Sequence, residues 1–495
     1  MSSPSVSENS VFVSKTSATG RFAHLIPGLD PQGKGIDHAT ITGWLTNLAA
    51  ALVDDLDANG QPFPAGDHPT LPAGYTYLGQ FIDHDLTLDP TTLPTEPIDT
   101  TTLNNFRSPA LDLDNLLGFG PGVHPYFYEP RSAGAIAGSL RTAQSLAGNP
   151  GVTSNDLPRL PGGTPLIGDH RNDENLFIGQ LHTAFITFFN KIFTDLSAGI
   201  IPDLGPAGAS TSEKAARITR WHYQWIVLKD FLPRIIENNI LDYVVQNGPQ
   251  HYHPDSANPY MPLEFAGAAY RLGHSMVRER YHVNANFQNE PLSQIFNFSS
   301  SGGGVPVPAN WFINFNRLFE IDPNTSVNHA RRLDPYAAPT RHNLPGVQAP
   351  NDLAARNLLR GWTWQLPSGQ TLAASLNLPV LTPDQILADI GGQRCKEADV
   401  VEPFNFHTDT PLWYYILKES EVLHQGQTLG PLGSTILAEV FVGLLRADSE
   451  SYLSADPAWT PTLPGATVGH FTMADLFRYL PTDALNPNGG DTGPL

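Results

Sequence analysis

The sequence predicts a mainly α protein: a single large helical domain with long irregular loops and little β structure. Three observations point this way. Apolar residues recur at helical spacing in many segments, and period-two alternation is almost absent. The 43 glycines and 45 prolines gather in long stretches between the periodic segments rather than spreading evenly. The clearest helix covers 41–56, with Leu45, Leu48, Leu52, Val53 and Leu56 on one face. Further helices are expected over 78–86, 172–196, 212–236, 263–277, 352–361, 370–376, 383–390, 411–423 and 434–445. The run Thr382-Pro-Asp-Gln385 reads as a capping box with proline at the first helical position. The loops at 90–109, 118–168, 202–208 and 299–308 are Gly/Pro-rich, and loops this long in a compact chain usually serve a site or a cofactor.

Composition bounds the function. A formal net charge of −20 leaves no excess of cations for generic binding to a phosphate backbone. Hydrophobic residues at 40% and aromatics at 10% suffice for a large core, which argues against global disorder. The single cysteine, Cys395, allows no intrachain disulfide and reads as a buried thiol rather than a nucleophile. The first twenty residues are Ser/Thr-rich without an apolar run, and no stretch approaches the ~20 apolar residues of a membrane span. Cytoplasmic residence, or export without a classical signal peptide, is expected.

The chemistry concentrates in segments that place polar residues on otherwise apolar helices. In Leu78-Gly-Gln-Phe-Ile-Asp-His-Asp85, a rotation of ~100° per residue puts Gln80 and His84 on one face. Asp83 and Asp85 diverge to either side of that face. Gly168-Asp-His-Arg-Asn-Asp-Glu-Asn175 carries Arg171 and Glu174 at i, i+3. The same spacing links Arg271 to His274 in Ala269–His274, and Asn357 to Arg360 in Ala354-Ala-Arg-Asn-Leu-Leu-Arg360.

These ordered motifs resemble those of the animal haem peroxidases, the peroxidase-cyclooxygenase superfamily, and particularly its bacterial members. Gly79–Asp85 is similar to the distal-helix signature and Ala269–His274 to the proximal-histidine signature; the similarity also takes in Asp230-Phe-Leu-Pro233 and Thr410-Pro-Leu-Trp413. It spans about 21–480 as one domain, leaving 1–20 and 481–495 as tails. The resemblance implies haem b, an iron ligand in His274, a distal acid–base in His84, and Arg171 beside the departing peroxide oxygen. It implies Asn357 as the hydrogen-bond partner of the proximal ring, Arg271 and Arg360 as propionate partners, and Gln80 at the distal water or halide. Asp83 and Glu174 match carboxylates that many members esterify to haem methyl groups. Asn175 stands where some mammalian members carry a methionine, so no third covalent link is expected. Asp85 resembles a Ca²⁺ ligand, with partners in Ser108, the Ala110 carbonyl, Asp112 and Asp114, an oxygen set suited to that hard cation.

The implied activity is that of an oxidoreductase: reduction of hydrogen peroxide through a ferryl intermediate, with oxidation of a halide, a pseudohalide or a small phenolic donor. This would give the chain a part in the response to oxidative stress. Two rivals stand beside it. A fatty-acid dioxygenase of the cyclooxygenase type carries a radical-forming tyrosine three residues before the proximal histidine; that place holds Arg271 here, and Tyr270 is one position off. A non-catalytic haem or adhesion scaffold is opposed by the intact His84, Arg171 and His274 set. The family's run near 187–190 is reduced to Asn190 in Thr187-Phe-Phe-Asn190. Asp55-Leu-Asp-Ala-Asn-Gly60 begins like an EF-hand loop, but Gly66 occupies its twelfth position, so it reads as a turn.

Overall fold

The computed structural model describes residues 20–58, 60, 63–90, 93–147, 155–255, 259–345 and 347–481. The tails expected at 1–20 and 481–495 lie outside them except for Gly20 and Pro481. Gly20 already belongs to a strand, Gly20–Ala23, which pairs antiparallel with Asn104–Asn105 and parallel with Tyr260–Pro262. Strand is confined to this sheet and two two-stranded pairings among the described residues, so the mainly α expectation holds.

The helices that build the core are α1 (His38–Ala51), α2 (Gly74–Leu86), α3 (Leu176–Ser197), α4 (Thr211–Ile226), α5 (Asn238–Asn247), α6 (Leu353–Thr363), α7 (Leu412–His424), α8 (Pro431–Ala447) and α9 (Met473–Tyr479). Each expected helix is present, with shifted ends. The 383–390 helix closes after Ile386, although its capping box forms as expected between Thr382 and Gln385. Helix α5 went unpredicted because only Leu241 and Val244 of its ten residues are buried.

Two expected helices are interrupted. Over 212–236, α4 starts at a Ser210/Glu213 capping box and passes into a π turn at Val227–Phe231 before Leu232–Ile235 resumes. Over 263–277, the chain runs as a short α-helix, Leu263–Gly267, kinks at Ala268 (φ −141°, ψ −70°), and continues as a 3₁₀ segment, Ala269–His274. At three residues per turn, that segment eclipses Arg271 and His274 on one face. It packs against α2, α7 and α8, the core of the molecule.

Helix α2 crosses α3, where Phe81 stacks on Phe185 (centroids 4.5 Å) and Tyr77 packs on Phe177 (4.5 Å). Gly74 at its start is required: a Cβ there would lie 2.4 Å from the Leu318 carbonyl oxygen. No described helix is long and apolar enough to cross a membrane.

Candidate active site

Helix α2 turns Gln80 and His84 inward on one face, as their spacing requires, with Asp83 and Asp85 to either side. His84 is 4% exposed, and its Nδ1 lies 2.7 Å from Asn172 Oδ1. An amide oxygen only accepts, so Nδ1 carries the hydrogen and Nε2 keeps its lone pair. Asn172 Nδ2 in turn donates to His182 Nδ1 on α3 at 2.9 Å. Burial first, then the Arg171 charge, pushes the His84 imidazole down to about 3, so the ring is neutral.

Arg171 stands in a 3₁₀ turn, His170–Asp173, and the helix expected from 172 begins only after it, at Leu176. The sequence dictates this turn: the Asp169 side chain caps it, accepting from the Arg171 backbone N–H at 2.9 Å. The same carboxylate takes Arg171 Nη2 at 2.8 Å and Nε at 3.1 Å, fixing the guanidinium plane with one nitrogen 3.7 Å from Asp83. Glu174, at the end of this turn, accepts from Gln80 Nε2 at 3.2 Å. Asp83 accepts from Thr87 Oγ1 at 2.9 Å.

In the 3₁₀ segment Ala269–His274, His274 Nδ1 faces the Asn357 amide, 3.2 Å from Oδ1 and 2.9 Å from Nδ2. With Oδ1 as the acceptor, Nδ1 holds the hydrogen and Nε2 is the free nitrogen. Arg271 reaches the same Oδ1 at 3.5 Å and donates its Nε to the Ala266 carbonyl at 2.8 Å. Arg360 is already engaged: its Nη1 lies 2.7 Å from Asp89, both side chains being 9% exposed. Tyr270 stacks on Phe265 (4.7 Å).

Among the described residues neither His84 Nε2 nor His274 Nε2 has a hydrogen-bond partner. The elements that carry the two rings adjoin: the Ala269–His274 segment packs on α2, and Arg271 acts on Asp83. Asp83 is 35% accessible and Glu174 is exposed, yet burial raises the Asp83 carboxyl and pushes Glu174 up to about 7. Side chains that are accessible and still desolvated line a space inside the molecule. Arg271 and His274 share this double character. The chemistry of the donor set fits a haem: one neutral imidazole able to bind iron, a second with a free lone pair on a neighbouring element, and carboxylates and arginines beside them.

Beside His84, Asp85 points the other way. Its two carboxylate oxygens are fully buried without a hydrogen-bond partner. Carboxylate oxygens of Asp85, Asp112 and Asp114 lie within 4.8 Å of one another. Ser108 Oγ donates to Asp112 at 2.8 Å, and Ala110 follows it in the same buried loop. Burial, then the neighbouring carboxylates, pushes Asp85 well above the usual range, while Asp114 is raised to about 7 despite its pairing with Arg107. A cation would relieve this crowding of charge. Arg107 also donates to the Gly168 carbonyl at 2.9 Å, tying the loop to the Arg171 turn.

All the expected site residues are therefore brought to two adjoining places. Sequence reasoning missed Asp169, Asn172, His182 and Asp89. Asp169 and Asn172 lie in a motif already singled out, and an aspartate two residues before an arginine is a readable turn signal. Nothing local marks the others. Asp55 of the EF-like run pairs with Lys396 at 3.1 Å, and Cys395 is buried with its thiol pushed up to about 12.

A family profile described as animal haem peroxidase matches residues 137–455. The chain belongs to the animal haem peroxidase family. Among its relatives are peroxidasin of Drosophila melanogaster, 25% identical over 296 residues, and thyroid peroxidase of Homo sapiens, 28% identical over 307 residues. These matches cover 58% and 59% of this chain but 18% and 31% of the relatives, so the chain spans less than a third of either. Peroxidase A from Dictyostelium discoideum shares the haem peroxidase fold at a TM-score of 0.61 and 17% identity, over 92% of this chain and 95% of that one. A fatty acid alpha-dioxygenase of Arabidopsis thaliana shares it more loosely, at 0.53 and 13%, over 85% and 71%.

Proposed function

We propose that this chain is a haem peroxidase that reduces hydrogen peroxide and oxidises a halide, a pseudohalide or a small phenolic donor. The observation that carries this is the pair of neutral imidazoles, His84 and His274, each with Nδ1 against an asparagine amide and Nε2 without a partner among the described residues. Haem, when bound, would supply the two electrons that reduce peroxide and recover them from the donor.

His274 Nε2 would ligate the iron, and the Nδ1–H bond to Asn357 would raise the basicity of the ring. His84 Nε2 would take the proton from one peroxide oxygen and return it to the other, leaving water. Arg171, fixed by Asp169, would hold positive charge beside the departing oxygen. Gln80 would border the distal water or an entering halide. Arg271 would meet a haem propionate, with Arg360 sharing its charge between Asp89 and the second propionate. Asp83 and Glu174 would form ester links to the haem. Asp85, Ser108, the Ala110 carbonyl, Asp112 and Asp114 would hold one Ca²⁺, fixing α2 beside His84.

Haem loading of the chain and of two variants tests this reading. His274→Ala should lose stable haem binding. His84→Ala should keep haem but react with peroxide about 10²–10⁴-fold more slowly. A His84→Ala variant reacting at the parent rate would overturn the distal assignment. A steady-state screen of bromide, iodide, thiocyanate and phenols identifies the donor.

A further inference from the structure

The run Thr410–Trp413 has no role in the site described above, yet its last residue touches that site. Trp413, 3% exposed at the start of α7, donates its Nε1–H at 3.3 Å to the carbonyl of Arg271, three residues before His274. Tyr414 follows it in the chain and is fully buried. The Tyr414 hydroxyl donates to Glu397 Oε1 at 2.9 Å, and the other oxygen of that carboxylate accepts from the Tyr336 hydroxyl at 2.7 Å. Two phenols thus share one buried carboxylate, and a tryptophan joins them to the His274 segment.

The carboxylate is kept charged. Lys418 Nζ lies 2.7 Å from Glu397 and 2.6 Å from Glu421, and it donates to the Ala388 carbonyl at 3.0 Å. Burial alone would raise the Glu397 carboxyl, but the Lys418 ammonium outweighs it and holds the group below its usual range. Burial first, then the Glu397 charge, raises both phenols, so each keeps its proton. A buried ionic group of this kind is a weak source of stability. What it supplies is a dry, charged acceptor bonded to two phenols. A phenol that loses an electron becomes strongly acidic, and Glu397 is in place to take the proton. Glu421 leaves Lys418 paired once Glu397 is neutral.

Tyr336 is where this chain of side chains meets the surface. It is half-buried, with Lys396 Nζ 4.3 Å from its ring centroid. Lys396 is exposed and pairs with Asp55, whose side chain is 75% accessible. Tyr414 has no access to solvent, so of the two phenols only Tyr336 can meet an outside donor.

We propose that Trp413, Tyr414 and Tyr336 form a relay that carries oxidising equivalents, one at a time, from the peroxide site to the surface beside Lys396, where a phenol attached to a polymer is oxidised without entering the site. This rests on the peroxidase reading above, with hydrogen peroxide as the oxidant. An electron leaves Tyr414 by way of Trp413 toward the site, and the Tyr414 hydroxyl proton passes to Glu397 Oε1. Tyr336 then gives an electron to Tyr414, which recovers its proton from Oε1 while the Tyr336 proton moves to Oε2. The outside phenol returns an electron to Tyr336, Glu397 returns the proton, and the phenol sheds its own proton to water as it becomes a phenoxyl radical. Two such rounds supply the two electrons and two protons that reduce one peroxide to water.

The test mixes the haem-loaded protein with hydrogen peroxide, freezes it for electron paramagnetic resonance, and treats a parallel sample with a nitroso spin trap for peptide mass spectrometry. The parent is expected to show a tyrosyl signal that narrows when its tyrosines are ring-deuterated, and a trap adduct on Tyr336. Tyr414→Phe should lose most of the adduct although Tyr336 is intact, an effect that a merely structural Tyr414 would not produce. Tyr336→Phe should react with peroxide and oxidise free tyramine at the parent rate, but lose the oxidation of tyramine coupled to high-molecular-weight dextran. This half-buried position keeps the test open should Tyr414→Phe fail to fold. A parent that reacts with peroxide but gives no Tyr336 adduct would overturn the proposal. So would an undiminished adduct in folded Tyr414→Phe, or dextran-linked tyramine oxidised by Tyr336→Phe as fast as by the parent. A parent that takes up no haem, or whose haem does not react with peroxide, defeats the peroxidase reading instead, so the two failures are distinguishable.

Discussion

At the scale of single residues, Asn172 decides the chemistry of His84. Its Oδ1 fixes which imidazole nitrogen carries the hydrogen, and its Nδ2 is held by His182 on α3, so the ring is oriented from the core. Asn172→Ala is expected to slow the reaction with peroxide about 10–100-fold while haem stays bound, as losses of such supporting partners do; stopped-flow absorbance checks it. Glu419 is another buried group with a measurable signature. One carboxylate oxygen accepts from the Leu432 N–H at 2.9 Å, the other has no partner, and burial raises the group from 4.5 to about 8. Between those values the folded chain keeps a proton that the unfolded chain releases. Stability is therefore full below the unfolded value and falls as pH rises, by about 1.4 kcal/mol per pH unit from this group. Glu419→Gln does not titrate, so the melting temperature of the variant minus that of the parent should climb steadily from pH 5 to pH 8. Parallel melting curves across that range would refute the assignment.

At the scale of elements, the placement of α2 depends on Asp230. The π turn Val227–Phe231 adds a residue to the α4 ladder. Asp230 within it accepts from Tyr75 Oη at 2.8 Å, Arg234 Nε at 2.9 Å and the Met473 N–H at 2.9 Å. One carboxylate thus joins the base of α2, the end of the α4 run and the start of α9. Asp230→Ala strands two buried donors and a half-exposed arginine, and urea denaturation should record a loss of about 2–4 kcal/mol. The 3₁₀ segment Ala269–His274 is the matching device on the proximal side. Its tighter winding lets Arg271 and His274 approach Asn357 from one face, where an α-helix would spread them by ~60°.

At the scale of the whole molecule, the acidic cluster and the histidine site form one mechanical unit. Arg107 pairs with Asp114, reaches the Gly168 carbonyl and lies 3.8 Å from Asp169, the carboxylate that positions Arg171. Gly168 permits this approach, because a Cβ there would lie 2.6 Å from the Asp114 carbonyl oxygen. Elemental analysis is expected to find one Ca²⁺ per chain. Chelation should lower the melting temperature and perturb the haem spectrum together, since an ion at 100-fold excess over its Kd contributes about 3 kcal/mol. Active protein free of calcium would remove the ion from the account.

The sequence by itself determined the features that are local in the chain. The pairs Gln80/His84, Arg271/His274 and Asn357/Arg360 were legible because helical periodicity alone puts residues three or four apart on one face. The Asp112/Asp114 loop was legible only through the resemblance to the animal haem peroxidases, which implied it as a partner of Asp85; its oxygen set then suited a hard cation. The helix-forming segments followed from their apolar periodicity, and the absence of alternation excluded extensive sheet. Tertiary structure alone decided the partners. His84 and Asn172 are 88 residues apart, His274 and Asn357 are 83 apart, and Arg360 and Asp89 are 271 apart. Periodicity carries no information across such distances. The kink at Ala268 and the π turn at Val227–Phe231 were equally hidden. Local propensity favours a continuous helix at both places, and packing against α2, α7, α8 and α9 overrides it. Arg341 shows the limit most plainly: in the sequence it is one arginine in a proline-started loop, and only the fold shows that its Nε is buried without a hydrogen-bond partner.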